Sequence, residues 1–383
     1  MKEFKHDLQQ RKQQGLYRDR KILQSPQGRE IVLDGKLVLN FCSNDYLGLA
    51  NHPDVINSFT KAARQFGVGS GAAHLVNGHT QSHHSLEEEL AEFTGYPRAL
   101  LFSTGYMANL GAAQSLCSKS DSIIEDKLNH ASLLDAANIS GAQLKRYKHK
   151  DYNHLLNKLT SCQSDEKLVC SDSVFSMDGD EANIEIMVEH CQSHDARLML
   201  DDAHGFGVLG EYGRGSLNHQ QISTIDVSIY MATLGKALGT AGAFIAGSDE
   251  LIETLIQTAR CYIYTTAMPA AVAQATRTSL QLLVKENWRQ LSLKNNIQYF
   301  KNLIKHTDLN LLESNTAIQP VIIGNSKMAM DISQKMFDKG FHIAAIRPPT
   351  VPKNTSRLRI TLRADHTEED IEKLVESLTT SIN

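Results

Sequence analysis

The chain is predicted to be an α/β protein. A large domain with a mostly parallel, helix-wrapped sheet carrying one antiparallel strand is joined to a small C-terminal α+β domain and an N-terminal arm. Three observations predict this. Short β-rich runs alternate with amphipathic segments from Asn51 to about Trp288, the pattern of a parallel sheet covered by helices. One link in that series, Thr233 to Gly242, is shorter than the roughly dozen residues a parallel crossover needs, so its flanking strands should run antiparallel. The chain has 383 residues, of which 41% are hydrophobic and only 21% charged, so it can bury a large core and form more than one domain.

In chain order, a polar helix is expected from Lys2 to Gln14, then an extended arm, too polar for a core of its own, leading to a short strand at Leu39, Asn40 and Phe41. Strands are expected at Ala99–Phe102, Ser122–Glu125, Leu144–Tyr147, Leu168–Ser171, Leu198–Asp201, Val227–Ala232 and Ala243–Ala246. Helices such as Ser85–Phe93 and Ile184–His190 lie between them; Glu87, Glu88 and Glu89, set between Leu86 and Leu90, read as the wet face of the first. Beyond Pro269 a long helical region runs to about Leu303. Strand Ile318–Ile323, helix Lys327–Lys339, strands His342–Ile346 and Arg357–Leu362, and helix Thr367–Leu378 complete the chain. The domains are thus expected over residues 1–50, 51–288 and 289–383.

A formal net charge of -4 gives no electrostatic footprint for nucleic acid or an anionic membrane. The six cysteines contain no Cys-x-x-Cys pair and read as small buried hydrophobes of a reducing compartment. The charged N-terminal stretch lacks an apolar signal core, and no stretch has the length of a membrane span, so a cytoplasmic protein is expected.

Lys236 has the most distinctive surroundings. It lies in Thr233-Leu234-Gly235-Lys236-Ala237-Leu238-Gly239-Thr240-Ala241-Gly242, directly after an apolar strand and at the sheet edge where α/β proteins bind ligands. Small neighbours admit a planar ligand to an amine that must form an imine. Three other places supply parts that pyridoxal 5'-phosphate would need. Ser103-Thr104-Gly105-Tyr106 turns a strand into a helix, whose exposed amides suit a phosphate. Asp201-Asp202-Ala203-His204 ends a buried strand in carboxylates, one of which can keep a pyridine nitrogen protonated. His130, between a strand and a helix, can stack on the ring.

With these motifs in this order, the chain resembles the α-oxoamine synthase family of fold-type I pyridoxal-phosphate enzymes nearly end to end. The resemblance extends to Asn40-Phe41-Cys42-Ser43-Asn44-Asp45-Tyr46-Leu47-Gly48, to Asn129-His130-Ala131-Ser132, to Phe175-Ser176-Met177-Asp178-Gly179, and to Ala345-Ile346-Arg347-Pro348-Pro349-Thr350. Asp172, where the family more often has glutamate, and Phe206, where a small residue is usual, depart from it.

The resemblance implies Lys236 as the cofactor's covalent anchor, Asp201 as partner of the ring nitrogen and His130 as the stacking ring and a substrate contact. It also implies His204 and Ser176 near the cofactor's 3-oxygen, Gly105, Tyr106 and Thr233 at the phosphate, and Arg18, Arg347 and Thr350 as further substrate contacts. The last of these segments points to L-alanine and a pimeloyl thioester, on coenzyme A or acyl carrier protein, as substrates of a homodimer. The alternative within the family is a glycine and acetyl-CoA ligase.

Two rival readings and one metal pair fit the sequence less well. Gly205-Phe206-Gly207-Val208-Leu209-Gly210 has the dinucleotide spacing of a nicotinamide dehydrogenase, but Glu211-Tyr212-Gly213 continues as loop rather than opening a helix. A non-catalytic scaffold subunit would not need Lys236, Asp201 and His130 together. His190 and His194 are spaced like helical metal ligands without a third, so no metal site is expected and they read as solvated helix residues.

Overall fold

The computed structural model describes residues 4–14 and 16–382. Contacts divide the chain into two compact units: 49–175 with 181–290, and 1–48 with 176–180 and 291–383.

The larger unit is built on a seven-stranded sheet. In spatial order its strands are Arg98–Phe102, Ala243–Gly247, Ile229–Thr233, Arg197–Asp201, Lys167–Asp172, Ser122–Asp126 and Gln143–Tyr147. All neighbours pair in parallel except Ala243–Gly247, which is antiparallel to both of its neighbours, as the short link predicts. The central strands are buried throughout, which explains their unbroken apolar runs. On one face the helices Gly105–Leu116 and Ala131–Ser140 pack through Ala108, Ala112, Ala113, Ala136 and Ala137, small residues that let backbones approach closely.

The helix Gln81–Thr94 starts a turn earlier than expected, because Thr80 and His83 form a reciprocal cap. Its acidic run is not a uniform wet face. Glu88 is exposed, but Glu89 makes a forked pair with Arg277 at 2.6–3.0 Å, and Glu87 is turned inward to accept the Leu101 N–H at 2.9 Å. The sheet's outer strand needs that acceptor, and this decides the orientation. The helix Ile184–Ser193 ends before His194, whose Nε2 lies 3.0 Å from the Thr160 hydroxyl, so His190 and His194 do not share a helical face. The long helical region after Pro269 is two helices, Ala270–Lys285 and Trp288–Ile304, broken at Glu286.

The smaller unit holds two three-stranded sheets. In one, Ser356–Thr361 lies between Ile318–Gly324 and Ala344–Ile346, all antiparallel. In the other, Glu30–Leu33 and Lys36–Asn40 form a hairpin with Phe341–His342 added in parallel. The Asp34-Gly35 turn has both φ angles positive, the conformation that suits a two-residue hairpin. The arm therefore carries more structure than expected: Ile31, Leu33 and Val38 make a small core with Phe337. The helices Phe4–Gln13, Ser326–Asp338 and Glu368–Ile382 belong to this unit. Lys2, the expected start of the first, lies outside the described residues. Among the described residues no helix is long and apolar enough to cross a membrane.

Candidate active site

In the larger unit the functional side chains converge because parallel strands end at one edge. Asp172 and Asp201 are register partners at the ends of adjacent strands, and Asp201 pairs across to Met231, two residues before Thr233. The loop Thr233–Gly242 is closed by Leu234 N–H to Gly242 C=O at 2.9 Å and Thr240 N–H to Leu234 C=O at 3.0 Å. Gly239 is required in it: its φ is +67°, and a Cβ there would lie 2.2 Å from the Ala50 nitrogen.

The two adjacent carboxylates have different occupations. Asp202 is saturated by the hydroxyls of Ser173, Ser216 and Tyr230 and by the Ser216 N–H, so it is a structural node. Asp201 accepts the Ala203 N–H at 3.0 Å and the Asn109 amide at 2.8 Å, leaving lone-pair capacity for a ligand. The Asn109 amide also donates to Ser132 Oγ at 2.8 Å, while its buried Oδ1 has no partner. Ser132 Oγ lies 2.7 Å from His130 Nδ1.

His130 caps the helix Ala131–Ser140, and its backbone N–H donates to Asp172 at 2.9 Å, so the aspartate that replaces the usual glutamate anchors this loop. Desolvation lowers the His130 pKa; the Asp201 charge opposes that shift and the Lys236 charge adds to it. The same two charges act on Asp172, whose carboxyl burial pushes well above the ordinary range, with Asp201 raising it further and Lys236 lowering it. Asp201, His130 and Lys236 thus share one electrostatic neighbourhood. Lys236 Nζ is 3.1 Å from His204 Nε2.

Thr104 caps the helix Gly105–Leu116 by accepting the Met107 N–H at 3.1 Å, and the Gly105 and Tyr106 amides lie at the helix start. A Cβ on Gly105 would stand 2.7 Å from Thr233 Cγ2, so only glycine lets the Lys236 loop approach this helix start. Tyr106 donates its hydroxyl to Asp135. Gly205-x-Gly207-x-x-Gly210 is accounted for by packing. Gly207 and Gly210 have positive φ; a Cβ on Gly207 would lie 2.6 Å from Ala237 Cβ, so it seats the Lys236 loop, while one on Gly205 would meet Asp202 Oδ1 and one on Gly210 would lie 2.7 Å from Asn218 Oδ1. Gly210 leads into a single 3-10 turn, Glu211–Gly213, rather than the α-helix a nucleotide fingerprint requires, and buried Phe206 packs edge-on to Phe93 and Phe244.

Ser176, Arg18, Arg347 and Thr350 belong to the smaller unit. The Ser176 carbonyl accepts Arg359 Nε at 2.7 Å, and Asp178 pairs with Arg357. Arg18, Arg347 and Thr350 line one cleft of about 600 Å³, whose floor includes the cis Pro348-Pro349 bond. Arg347 Nη2 donates to the Tyr17 carbonyl at 3.3 Å.

Residues 36–378 match the family model of class I and II aminotransferases. The chain belongs to that family. It is 53% identical, over 98% of its length and 95% of the relative's, to the 8-amino-7-oxononanoate synthase of Saccharophagus degradans. Among solved structures of the family's fold, the high-resolution structure of SPT with its PLP internal aldimine superposes with a TM-score of 0.93 at 28% identity, covering 98% of this chain and 96% of that one. The 8-amino-7-oxononanoate synthase of Francisella tularensis superposes with a TM-score of 0.79 at 32% identity, covering 90% and 98%.

The residues of the larger unit fit a planar, anionic aldehyde cofactor of this family. They offer an amine, a carboxylate with spare acceptor capacity, an imidazole, a helix start lined by glycine and an unpartnered buried amide oxygen. The sequence motifs give Asn109 no role, although it lies three residues beyond Ser103-Thr104-Gly105-Tyr106. The available signal was its spacing: four residues after Gly105, it occupies the same helix face as the expected phosphate site.

Proposed function

We propose that the chain is a pyridoxal-phosphate-dependent acyltransferase acting in biotin biosynthesis. It condenses L-alanine with a pimeloyl thioester, on coenzyme A or an acyl carrier protein, to give 8-amino-7-oxononanoate, carbon dioxide and the free thiol. The observation that carries this reading is the shared charge field of Asp201, His130 and Lys236, in a chain 53% identical to an 8-amino-7-oxononanoate synthase over nearly its whole length.

Bound pyridoxal phosphate supplies a protonatable ring that draws electrons away from the carbon beside the substrate nitrogen. The protein does the rest. Asp201, steadied by Asn109 and the Ala203 N–H, holds the ring proton. Lys236 anchors the cofactor, and its Nζ takes the Cα proton of alanine, with His204 Nε2 orienting the amine at 3.1 Å. His130 offers a ring face, fixed through Ser132 and Asp172. The Gly105 and Tyr106 amides and the Thr233 hydroxyl hold the phosphate, and Ser176 and His204 serve the cofactor's 3-oxygen. Arg347 receives a substrate carboxylate in two-pronged fashion, with Arg18 and Thr350 as further substrate contacts. The working form in this reading is a cytoplasmic homodimer.

Product analysis with a panel of amino acids and acyl thioesters tests the proposal. Alanine with a pimeloyl thioester is expected to be the preferred pair. Preferred release of 2-amino-3-ketobutyrate from glycine and acetyl-CoA would overturn it.

A further inference from the structure

Outside the residues assigned to the Lys236 site, the larger unit carries four histidines and a half-buried glutamate around the start of the helix Gln81–Thr94. His83 is fully engaged: Nδ1 accepts the Thr80 N–H at 3.0 Å, and Nε2 donates to the Met268 carbonyl at 2.7 Å. The others are differently disposed. One donor atom each from His79, His84 and Glu87 all lie within 4.8 Å of one another, and His79 Nε2 is 3.9 Å from Glu87 Oε2. His84 and Glu87 are three residues apart on the helix and so share a face; His79 reaches them from just before it.

We propose that His79, His84 and Glu87 form a binding site for a divalent cation of the zinc class.

Zinc bonds of about 2.0–2.1 Å to imidazole nitrogen and carboxylate oxygen place tetrahedral donors roughly 3.4 Å apart. The cluster must contract only modestly to reach that geometry. Its outer contacts are already those of a ligand set. Glu87 spends Oε1 on the Leu101 N–H, which leaves Oε2 facing His79. His79 Nδ1 lies 3.0 Å from His74 Nδ1, and His74 is stacked on Tyr262 at 5.0 Å and 12°. With His79 Nδ1 as donor and His74 as acceptor, the His79 Nε2 lone pair is presented to a metal, the second-contact arrangement that orients ligating histidines.

The ligands border a cavity of about 450 Å³, with room for water to complete the coordination. Two imidazoles and one carboxylate favour zinc, cobalt, nickel or copper over magnesium or calcium. A bound ion would clip the chain at His79 to the first turns of the helix. The spacing His79-x4-His84-x2-Glu87 escapes a sequence search for helical ligand pairs because one ligand lies before the helix.

The test is a zinc titration of tag-free, chelator-stripped enzyme against a chromophoric competitor. One equivalent per chain is expected to bind in the micromolar range or tighter and to raise the melting temperature. His84→Gln changes a side chain that is 57% exposed and so leaves the fold intact. It should weaken binding by more than the ~10–100-fold that loss of an outer contact costs, and abolish the thermal shift. The cobalt form should show d–d bands without thiolate charge-transfer absorption. No binding at 100 μM zinc, an unchanged affinity in both His84→Gln and His79→Gln, or a thiolate band in the cobalt spectrum would each overturn the site.

Discussion

Glu125 gives the sharpest test of how the sheet beneath the site is charged. It lies in the strand Ser122–Asp126, is 1% exposed, and has no hydrogen-bond partner for either carboxylate oxygen. Burial pushes its pKa from 4.5 up to about 7, with the Arg146 charge opposing the rise. A carboxyl whose folded pKa is raised binds its proton more tightly in the native state. Its contribution to stability is therefore fully present below the unfolded pKa near 4.5 and is lost as pH climbs through 7. At 1.36 kcal/mol per tenfold, the whole ionisation penalty is about 3 kcal/mol, most of it accruing between pH 5 and pH 8. Glu125→Gln removes the titration. Its buried amide has a desolvation cost of its own, but that cost does not vary with pH. The melting temperature of the variant relative to the parent is expected to rise by roughly 3 °C between pH 5 and pH 8, for a chain of this length. A gap that stays constant across that range would refute the argument that Glu125 is desolvated without compensation.

Three further outcomes are expected. Lys236→Ala should lose the borohydride-stable label that pyridoxal phosphate leaves on the parent, with turnover falling by at least about 10²-fold; a retained label would remove Lys236 from its role. Arg347→Lys keeps the charge but not the fork, so KM for alanine should rise by about tenfold or more with kcat little changed, and an unaltered alanine dependence would count against Arg347. Gly239→Ala forces a side chain into a positive-φ position against the Ala50 backbone, which should cost about 1–3 kcal/mol of stability; an unchanged denaturation midpoint would contradict that contact.

Much of the fold was legible because it is written locally. The antiparallel strand Ala243–Gly247 follows from the length of one link, and the central strands from unbroken apolar runs. The residues proposed for the site were legible where one residue type is hard to replace: an amine at 236, a strand-end carboxylate at 201, an imidazole at 130. What escaped depends on partners distant in sequence. Glu87 reads as solvent-facing until the Leu101 N–H, fourteen residues on, claims it. Asn109 gains its place from Asp201, ninety-two residues away, and Ser132, twenty-three residues away. The resemblance already pointed to Asp201 rather than Asp202, and the oxygens that the protein occupies on Asp202 give the physical reason. The spacing of Gly205, Gly207 and Gly210, which mimics a nucleotide motif, is explained by packing against three different neighbours: Asp202 with Ser216, Ala237, and Asn218.

The reversal of a single strand also governs how the Lys236 segment moves. Because both of its ends are stitched to each other through Leu234, Thr240 and Gly242, the segment is a closed loop of low closure entropy rather than a tether across the sheet. Its amides should exchange with solvent at the slow rate of the strands on either side. In the proposed reading the Lys236 nitrogen then rides on a stiff mount, and adaptation to different acyl chains falls to other parts of the enzyme.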